Sequence, residues 1–378
     1  MTRRERVMAA LRHVEPDRVP MDLGGSLAST MVTAAYPALR TALGLKQQAT
    51  AESLRYASLA DIDADVRTAL DVDLVHAPRV FGTSKRVRVF SETRFEDEWG
   101  VCWERPASGH YYVEQAPFEA DGSVAAVTAH QWPTVADLVD TGGAAAAIDR
   151  LRAESDCAIT LQLRGRVLSL GQFLRGFAEW MMDLADNTAF VEALLERTTA
   201  AQLAANARIL AAVGDRVDVV YTSDDLGGQG GPLLAPAAFR RLLRPHFARL
   251  WRHIRENTNA VLMHHCCGAV APFLRDFVDL GVQALNPVQV SAAGMAPARL
   301  KREFGRNLAF WGAVDTQRVL PRGSTDEVRA EVRRRVRELA PGGGYVLAAV
   351  HNLQSEVPAA NILAMFDECR HFGRYPLR

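Results

Sequence analysis

Ala260-Val261-Leu262-Met263-His264-His265-Cys266-Cys267-Gly268 decides how this chain is read. An apolar run of that length, closed by a glycine, predicts a buried strand. Side chains along a strand alternate between its faces, so His265 and Cys267 share one face at its end, while His264 and Cys266 point the other way into packing. The pair is a metal-ligand arrangement that lacks a third ligand.

The same kind of run recurs on both sides. Strand candidates are Arg18 to Leu23, Asp73 to Pro78, Ala158 to Leu163, Val217 to Thr222, Ala284 to Pro287, Leu308 to Gly312 and Gly344 to Ala349, making eight with the first. Helical stretches fall between them, at Phe177 to Val213, Pro236 to Glu256, Val270 to Leu280, Met295 to Phe304 and Thr325 to Leu339. Eight buried strands alternating with helices predict a (β/α)8 barrel of the α/β class, occupying residues 1–378 as a single domain, with an open doubly wound sheet as the alternative. An amphipathic helix from Thr2 to Leu11 opens the chain, and residues from about 30 to 70 read helical, with Leu39, Leu43, Leu54 and Leu59 as core. Between about 84 and 117 the pattern changes to alternation around turn residues, as in Val87 and Val89 between arginines and in Tyr111-Tyr112-Val113. That stretch predicts antiparallel hairpins inserted into the barrel.

In a barrel the polar residues that follow strands converge on one mouth. They are Gln162, Arg164 and Arg166; Asp224, Asp225 and Gln229; His265 and Cys267; Asn286 and Gln289; Asp315 and Gln317; and His351, Asn352 and Gln354. Convergence carries His351 towards His265 and Cys267. Two imidazoles and a thiolate suit zinc, and three protein ligands with one open position is the layout of a catalytic zinc site. Each residue also has a plainer reading. An isolated His-x-Cys pair is commonly a buried thiol beside a satisfied histidine. Asp224 reads also as a plain cap on the next segment, and the Asp224-Asp225 pair reads equally as cap or as site. Gly227-Gly228-Gln229-Gly230-Gly231 lacks the lysine of a phosphate loop and more simply frees the backbone near a ligand. Arg333-Arg334-Arg335 shares its helix with glutamates and reads as a solvated face.

Composition excludes several classes. The 378 residues hold 44 basic and 44 acidic side chains, which argues against nucleic acid or an anionic membrane as partner. No uncharged stretch reaches the roughly 20 apolar residues of a membrane span. Five cysteines, two of them adjacent, and no charged-then-apolar leader predict a reducing, cytoplasmic setting; Cys102, Cys157, Cys266 and Cys369 read as ordinary buried thiols.

Several stretches resemble the uroporphyrinogen decarboxylase superfamily. They are Arg3-Arg4-Glu5-Arg6-Val7 with Pro16-Asp17-Arg18-Val19-Pro20, Asp97-Glu98-Trp99-Gly100, Leu174-Arg175-Gly176-Phe177, Asp224-Asp225-Leu226-Gly227 with Gln229, His265-Cys266-Cys267-Gly268, and His351-Asn352-Leu353-Gln354 with Pro358 and Asn361. The resemblance is closer to the branch of zinc-dependent alkyltransferases, including methylcobalamin:coenzyme M methyltransferases and epoxyalkane:coenzyme M transferase, than to the decarboxylases. It implies a (β/α)8 barrel whose zinc is held by a His-x-Cys pair, matched by His265 and Cys267, and by a distant Cys, where this chain has His351. Imidazole can replace thiolate, though the ligand set then loses negative charge. The decarboxylases carry an arginine-rich Met-Arg-Gln-Ala-Gly-Arg where this chain has Met21-Asp22-Leu23-Gly24-Gly25-Ser26, and a polycarboxylate substrate needs several arginine forks.

The expected function is therefore a zinc-dependent methyl or alkyl transferase that activates a thiol or another small acceptor. Its ligands are His265, Cys267 and His351. Asp225 and Asp315 are the expected catalytic carboxylates, and Gln229, Asn352, Gln354 and Arg164 the substrate-binding residues. No Asp-x-His-x-x-Gly occurs, so a corrinoid donor has to arrive on a partner protein; the chain itself is expected as a monomer or homodimer. Two other classes compete: a metal-independent carboxy-lyase acting on a porphyrinogen or smaller acid, and a non-catalytic barrel with structural zinc.

Overall fold

The computed structural model describes residues 1–54, 57–81, 86–106 and 110–377. Its strands are β1 (Glu52–Leu54), β2 (Leu59–Ala60), β3 (Leu74–His76), β4 (Arg88–Val89), β5 (Arg94–Glu96), β6 (Cys102–Glu104), β7 (Tyr112–Gln115), β8 (Ala158–Gln162), β9 (Val219–Ser223), β10 (Val261–His265), β11 (Ala284–Asn286), β12 (Ala309–Val314) and β13 (Tyr345–Ala349). Seven of them form one parallel sheet in the order β3-β8-β9-β10-β11-β12-β13. The sheet curls until its two edges meet the segment 20–22, the expected first strand. Leu347 N–H donates to Pro20 O at 2.9 Å and Asp22 N–H to Leu347 O at 2.9 Å on one side, and Asp73 N–H donates to Met21 O at 2.9 Å on the other. Residues 20–22 thus complete a (β/α)8 barrel with no free edge.

Alternation explains where the core lies. Leu74, Ala158, Val219, Tyr221, Val261, Met263, Ala284, Ala309, Trp311, Val346 and Ala348 pack together inside the barrel. Val7 and Leu11 of the N-terminal helix Arg3–Leu11 join them and plug the bottom. That helix starts at a capping box in which Thr2 and Glu5 satisfy each other's backbone N–H. The opposite strand faces, with Leu262, Val220, Phe310 and Leu347, pack under the surrounding helices. Parallel strands buried on both faces read as continuous apolar runs, which is why they were legible.

The inserted segment folds as an antiparallel sheet in the order β4-β5-β6-β7. Residues 84, 85 and 107–109 of the expected insertion lie outside the described residues. Trp103 anchors the sheet by packing edge-on against Phe173, with ring centroids 5.0 Å apart.

Two helical expectations need correction, and a third, Pro236 to Glu256, is helical throughout but not regular. Residues 30–70 are not helical throughout: helices Tyr36–Ala42 and Ala64–Leu70 flank the antiparallel pair of β1 and β2. Of the expected core there, Leu39 and Leu59 are buried and Leu43 is half-buried, while the side chain of Leu54 lies outside the described residues. Phe177 to Val213 breaks into helices Phe177–Asp186 and Thr188–Val213 at Asn187, whose side chain donates to Gly122 O at 3.0 Å. Before Arg244–Asn257 the chain takes a π-helical turn, Phe239–Leu243. Pro245 cannot donate within a regular helix, and a π turn absorbs that missing bond.

Asp73 holds the closing segment. Its carboxylate is wholly buried and accepts from Arg6 at 2.6 Å, Arg18 at 2.7 Å and Met21 N–H at 2.7 Å. Removing one partner of a buried ion cluster leaves the others uncompensated, at a cost of about 3–5 kcal/mol. Asp73→Ala is expected to lower unfolding stability in urea by that amount; a loss below about 1 kcal/mol, the scale of an exposed pair, would exclude the role.

Candidate metal and substrate site

β10 delivers the first candidate ligands. Val261, Met263 and His265 face the barrel axis, whereas His264 faces out among Trp251, Phe247 and Phe277, with its Nδ1 2.9 Å from Thr222 Oγ1. Burial pushes the His264 imidazole down to about 3, so it is a neutral packing residue. Cys266 is also buried, and its sulfur accepts from Leu226 N–H at 3.3 Å.

His265, Cys267 and His351 come together. One ligand atom from each lies within 4.8 Å of the others. Cys267 Sγ is 3.4 Å from His265 Nε2, and the two imidazoles meet edge-on with centroids 5.5 Å apart. The chemistry of this set fits a cation. His265 Nδ1 sits 2.6 Å from Asn286 Oδ1, an acceptor, so the ring proton resides on Nδ1 and Nε2 keeps a lone pair. Register explains the contact: β10 and β11 pair in parallel with His265 opposite Asn286. Burial, together with His265, holds His351 down at about 4, a neutral ligand at ordinary pH. Burial, with Asp225 beside it, drives the Cys267 thiol well above its ordinary range, so a thiolate at this position calls for a cation.

The adjacent aspartates take different roles. Asp224 is buried and accepts backbone N–H groups from Val167, Leu168 and Ser169 at 2.7, 2.6 and 2.8 Å. It caps the helix Leu168–Arg175 from a distance in sequence, and burial raises its carboxyl to about 6. Asp225 opens to the mouth: its Oδ1 accepts Cys267 N–H at 2.8 Å and lies 3.9 Å from His265 Nε2. Burial opposes its ionisation, but His265, the Cys267 N–H and His351 outweigh that and hold the carboxyl below its ordinary range.

The glycine run answers to another backbone. At Gly227 a Cβ would lie 2.6 Å from Ala269 N, and at Gly268, where φ is +87°, 2.2 Å from Gly227 O. Ala269 N–H donates to Gly228 O at 2.8 Å, so the loops after β9 and β10 touch and set the position of Cys267.

Other residues take varied places. Asp315 does not join the cluster; its carboxylate accepts Gln317 and Arg318 N–H at 2.6 and 3.0 Å and shapes the turn after β12. Arg164 is a strut, donating to Glu98 of the inserted segment at 2.7 Å and to Leu138 O at 2.8 Å. Gln229 is exposed, and its Oε1 lies 3.5 Å from Ser291 Oγ. Asn352 is buried, accepts Thr30 N–H at 3.0 Å, and lines with Gln354 and His351 a cavity of about 360 Å³. Asn286, a polar residue at a strand end, orients His265; its sequence position carries no sign of that role, which comes from the parallel register of β10 with β11.

A parallel barrel with a histidine and cysteine cluster at the C-terminal strand ends is a class of protein whose chemistry sits at its mouth. A family model for uroporphyrinogen decarboxylase matches residues 142–372, and the chain belongs to that family of enzymes. A methyltransferase from Methanosarcina mazei has a similar structure over 98% of this chain and 99% of its own, at 21% identity and a TM-score of 0.69, a likeness of fold. A B12-independent methionine synthase from Shewanella sp. W3-18-1, solved in complex with selenomethionine, is similar over 93% of this chain and 98% of its own, at 10% identity and a TM-score of 0.42, too distant to carry weight. No curated protein matches by sequence at a significant level. Among the described residues no helix is long and apolar enough to cross a membrane.

Orienting a histidine ligand through its second nitrogen commonly changes metal affinity by about 10–100-fold. Asn286→Ala is expected to weaken zinc binding by that factor in competition with a chromogenic chelator, while circular dichroism stays native.

Proposed function

We propose that this chain is a zinc-dependent methyl or alkyl transferase, with zinc held by His265, Cys267 and His351. The observation that carries the reading is the meeting of those three side chains at the barrel mouth, with ligand atoms within 4.8 Å and His265 presenting a bare Nε2. Bound there, zinc would supply a Lewis acid that lowers the pKa of an acceptor thiol or polarises a leaving group.

The chain's own residues prepare that chemistry. Asn286 keeps the His265 proton on Nδ1, and the close contact of Gly227 with Gly268 holds the loop bearing Cys267. Asp225 stays ionised at the mouth, where it balances the charge of a bound cation and orients a proton donor on the acceptor. Asn352 and Gln354 line the adjoining cavity and offer amide groups to a small substrate. Asp315 acts through the turn it shapes, and Gln229 stands at the open side. The name of the Methanosarcina mazei relative, a methyltransferase, supports group transfer, and the balanced charge of the chain favours a small-molecule substrate over a polyanion. A methylcorrinoid carried by a partner protein is the proposed donor. Cys102, Cys157, Cys266, Cys267 and Cys369 are free; work in a reducing cytoplasm, as a single-domain monomer or homodimer, is part of the proposal.

A decarboxylase reading has less support. At the place where an arginine cluster is needed stands Asp22, buried, receiving Trp311 Nε1–H at 2.8 Å and Gly25 N–H at 2.7 Å. Arg164 is already committed to Glu98.

Metal analysis tests the proposal. Protein prepared without chelators is expected to carry one zinc per chain, and Cys267→Ser to lose zinc and thiol alkylation yet remain folded. Absence of zinc from the native protein would sink the reading, while loss of folding with zinc in Cys267→Ser would mark a structural site instead.

A further inference from the structure

The cavity beside His351 carries a charge pattern that the metal cluster does not use. Its walls include Thr316, Gln317 and Arg322 from the segment after β12, and His351, Gln354 and Glu356 from the segment after β13. At about 360 Å³ it falls in the range of small-molecule sites, about 300–1,000 Å³. The buried or nearly buried arginines Arg6, Arg18, Arg164 and Arg335 each meet a carboxylate. Arg322 and Glu356 are exposed residues that share this one cavity; no ion pair joins them, and neither side chain has a partner among the described residues.

Both groups stand on backbone that is held in place. Asn361 is buried and donates to Leu320 O at 2.9 Å and to Gly323 O at 2.8 Å, bracketing Arg322. Val357 N–H donates to Gln354 O at 3.1 Å and closes the turn that presents Glu356. Gln354 Nε2 donates to Asn352 O at 3.2 Å, which leaves its carbonyl free to accept. A guanidinium favours a carboxylate through paired N–H donors, and a carboxylate favours an ammonium. A ligand carrying only one of these charges meets a like charge in the same small cavity.

We propose that the cavity binds the zwitterionic head of an α-amino acid, its carboxylate on Arg322 and its ammonium on Glu356, with the side chain directed past His351 to the metal cluster. The substrate of the proposed transfer is then an amino acid bearing the reacting group at the far end of its side chain. This assignment rests on reading the barrel mouth as the substrate site, but head-group binding itself needs no metal.

Calorimetric titration of the full-length protein with norleucine, hexanoate and pentylamine tests it, because the last two keep the chain and each lacks one charge. Norleucine is expected to bind at least about tenfold more tightly than either, the scale of one charged hydrogen bond. Arg322→Gln should weaken norleucine about tenfold or more and leave pentylamine unchanged or tighter; Glu356→Gln should weaken norleucine and leave hexanoate unchanged or tighter. No norleucine binding, equal binding of all three, or both variants binding norleucine like the native chain would overturn the assignment. Norleucine has no thiol, so its failure is distinct from a failure of the zinc reading, which metal analysis decides alone.

Discussion

Closure of the barrel is the constraint from which the site follows. Three residues, Pro20, Met21 and Asp22, join the two edges of a seven-stranded parallel sheet, and the buried Asp73 carboxylate holds them through Arg6, Arg18 and the Met21 N–H. An open sheet would leave the ends of β10 and β13 far apart in the order of strands. Closure turns that sheet into a ring, and the segments after those strands then face one mouth. His351 reaches His265 and Cys267 for that reason alone.

The mouth is built by division of labour between neighbours in sequence. Asp224 is spent on the N–H groups of a helix start, while Asp225 turns to Cys267 and His265. His264 packs among aromatic rings, while His265 meets Asn286. In each pair one residue secures the scaffold and the next faces the mouth, because alternating side chains of a strand end face opposite environments. Glycines at 227 and 268 let two loops touch at backbone distance, so Cys267 is placed by main-chain contact as well as by its own bonds.

Burial also sets the protonation of the cluster. Imidazoles and thiols that lose water favour their neutral forms, which keeps His351 a neutral imidazole and makes a Cys267 thiolate costly without a cation. The inserted sheet contributes at a distance: Glu98 takes up Arg164, a residue whose position after a strand suggested substrate binding.

The order of strands and helices, the inserted antiparallel segment and the pairing of His265 with Cys267 on one face were determined by the sequence itself, since burial on both faces writes continuous apolar runs and alternation is local. Tertiary structure decided the rest. The pairing of β1 with β2 and the break at Asn187 depend on contacts outside their own segments. That Asn286 rather than Asp315 stands beside the cluster follows from parallel register, and that Arg322 and Glu356 share a cavity follows from the segments after two neighbouring strands lying side by side at the mouth. Neither relation exists along the chain, because hydrogen bonding between parallel strands brings together residues whose separation in sequence carries no signal of their distance in space.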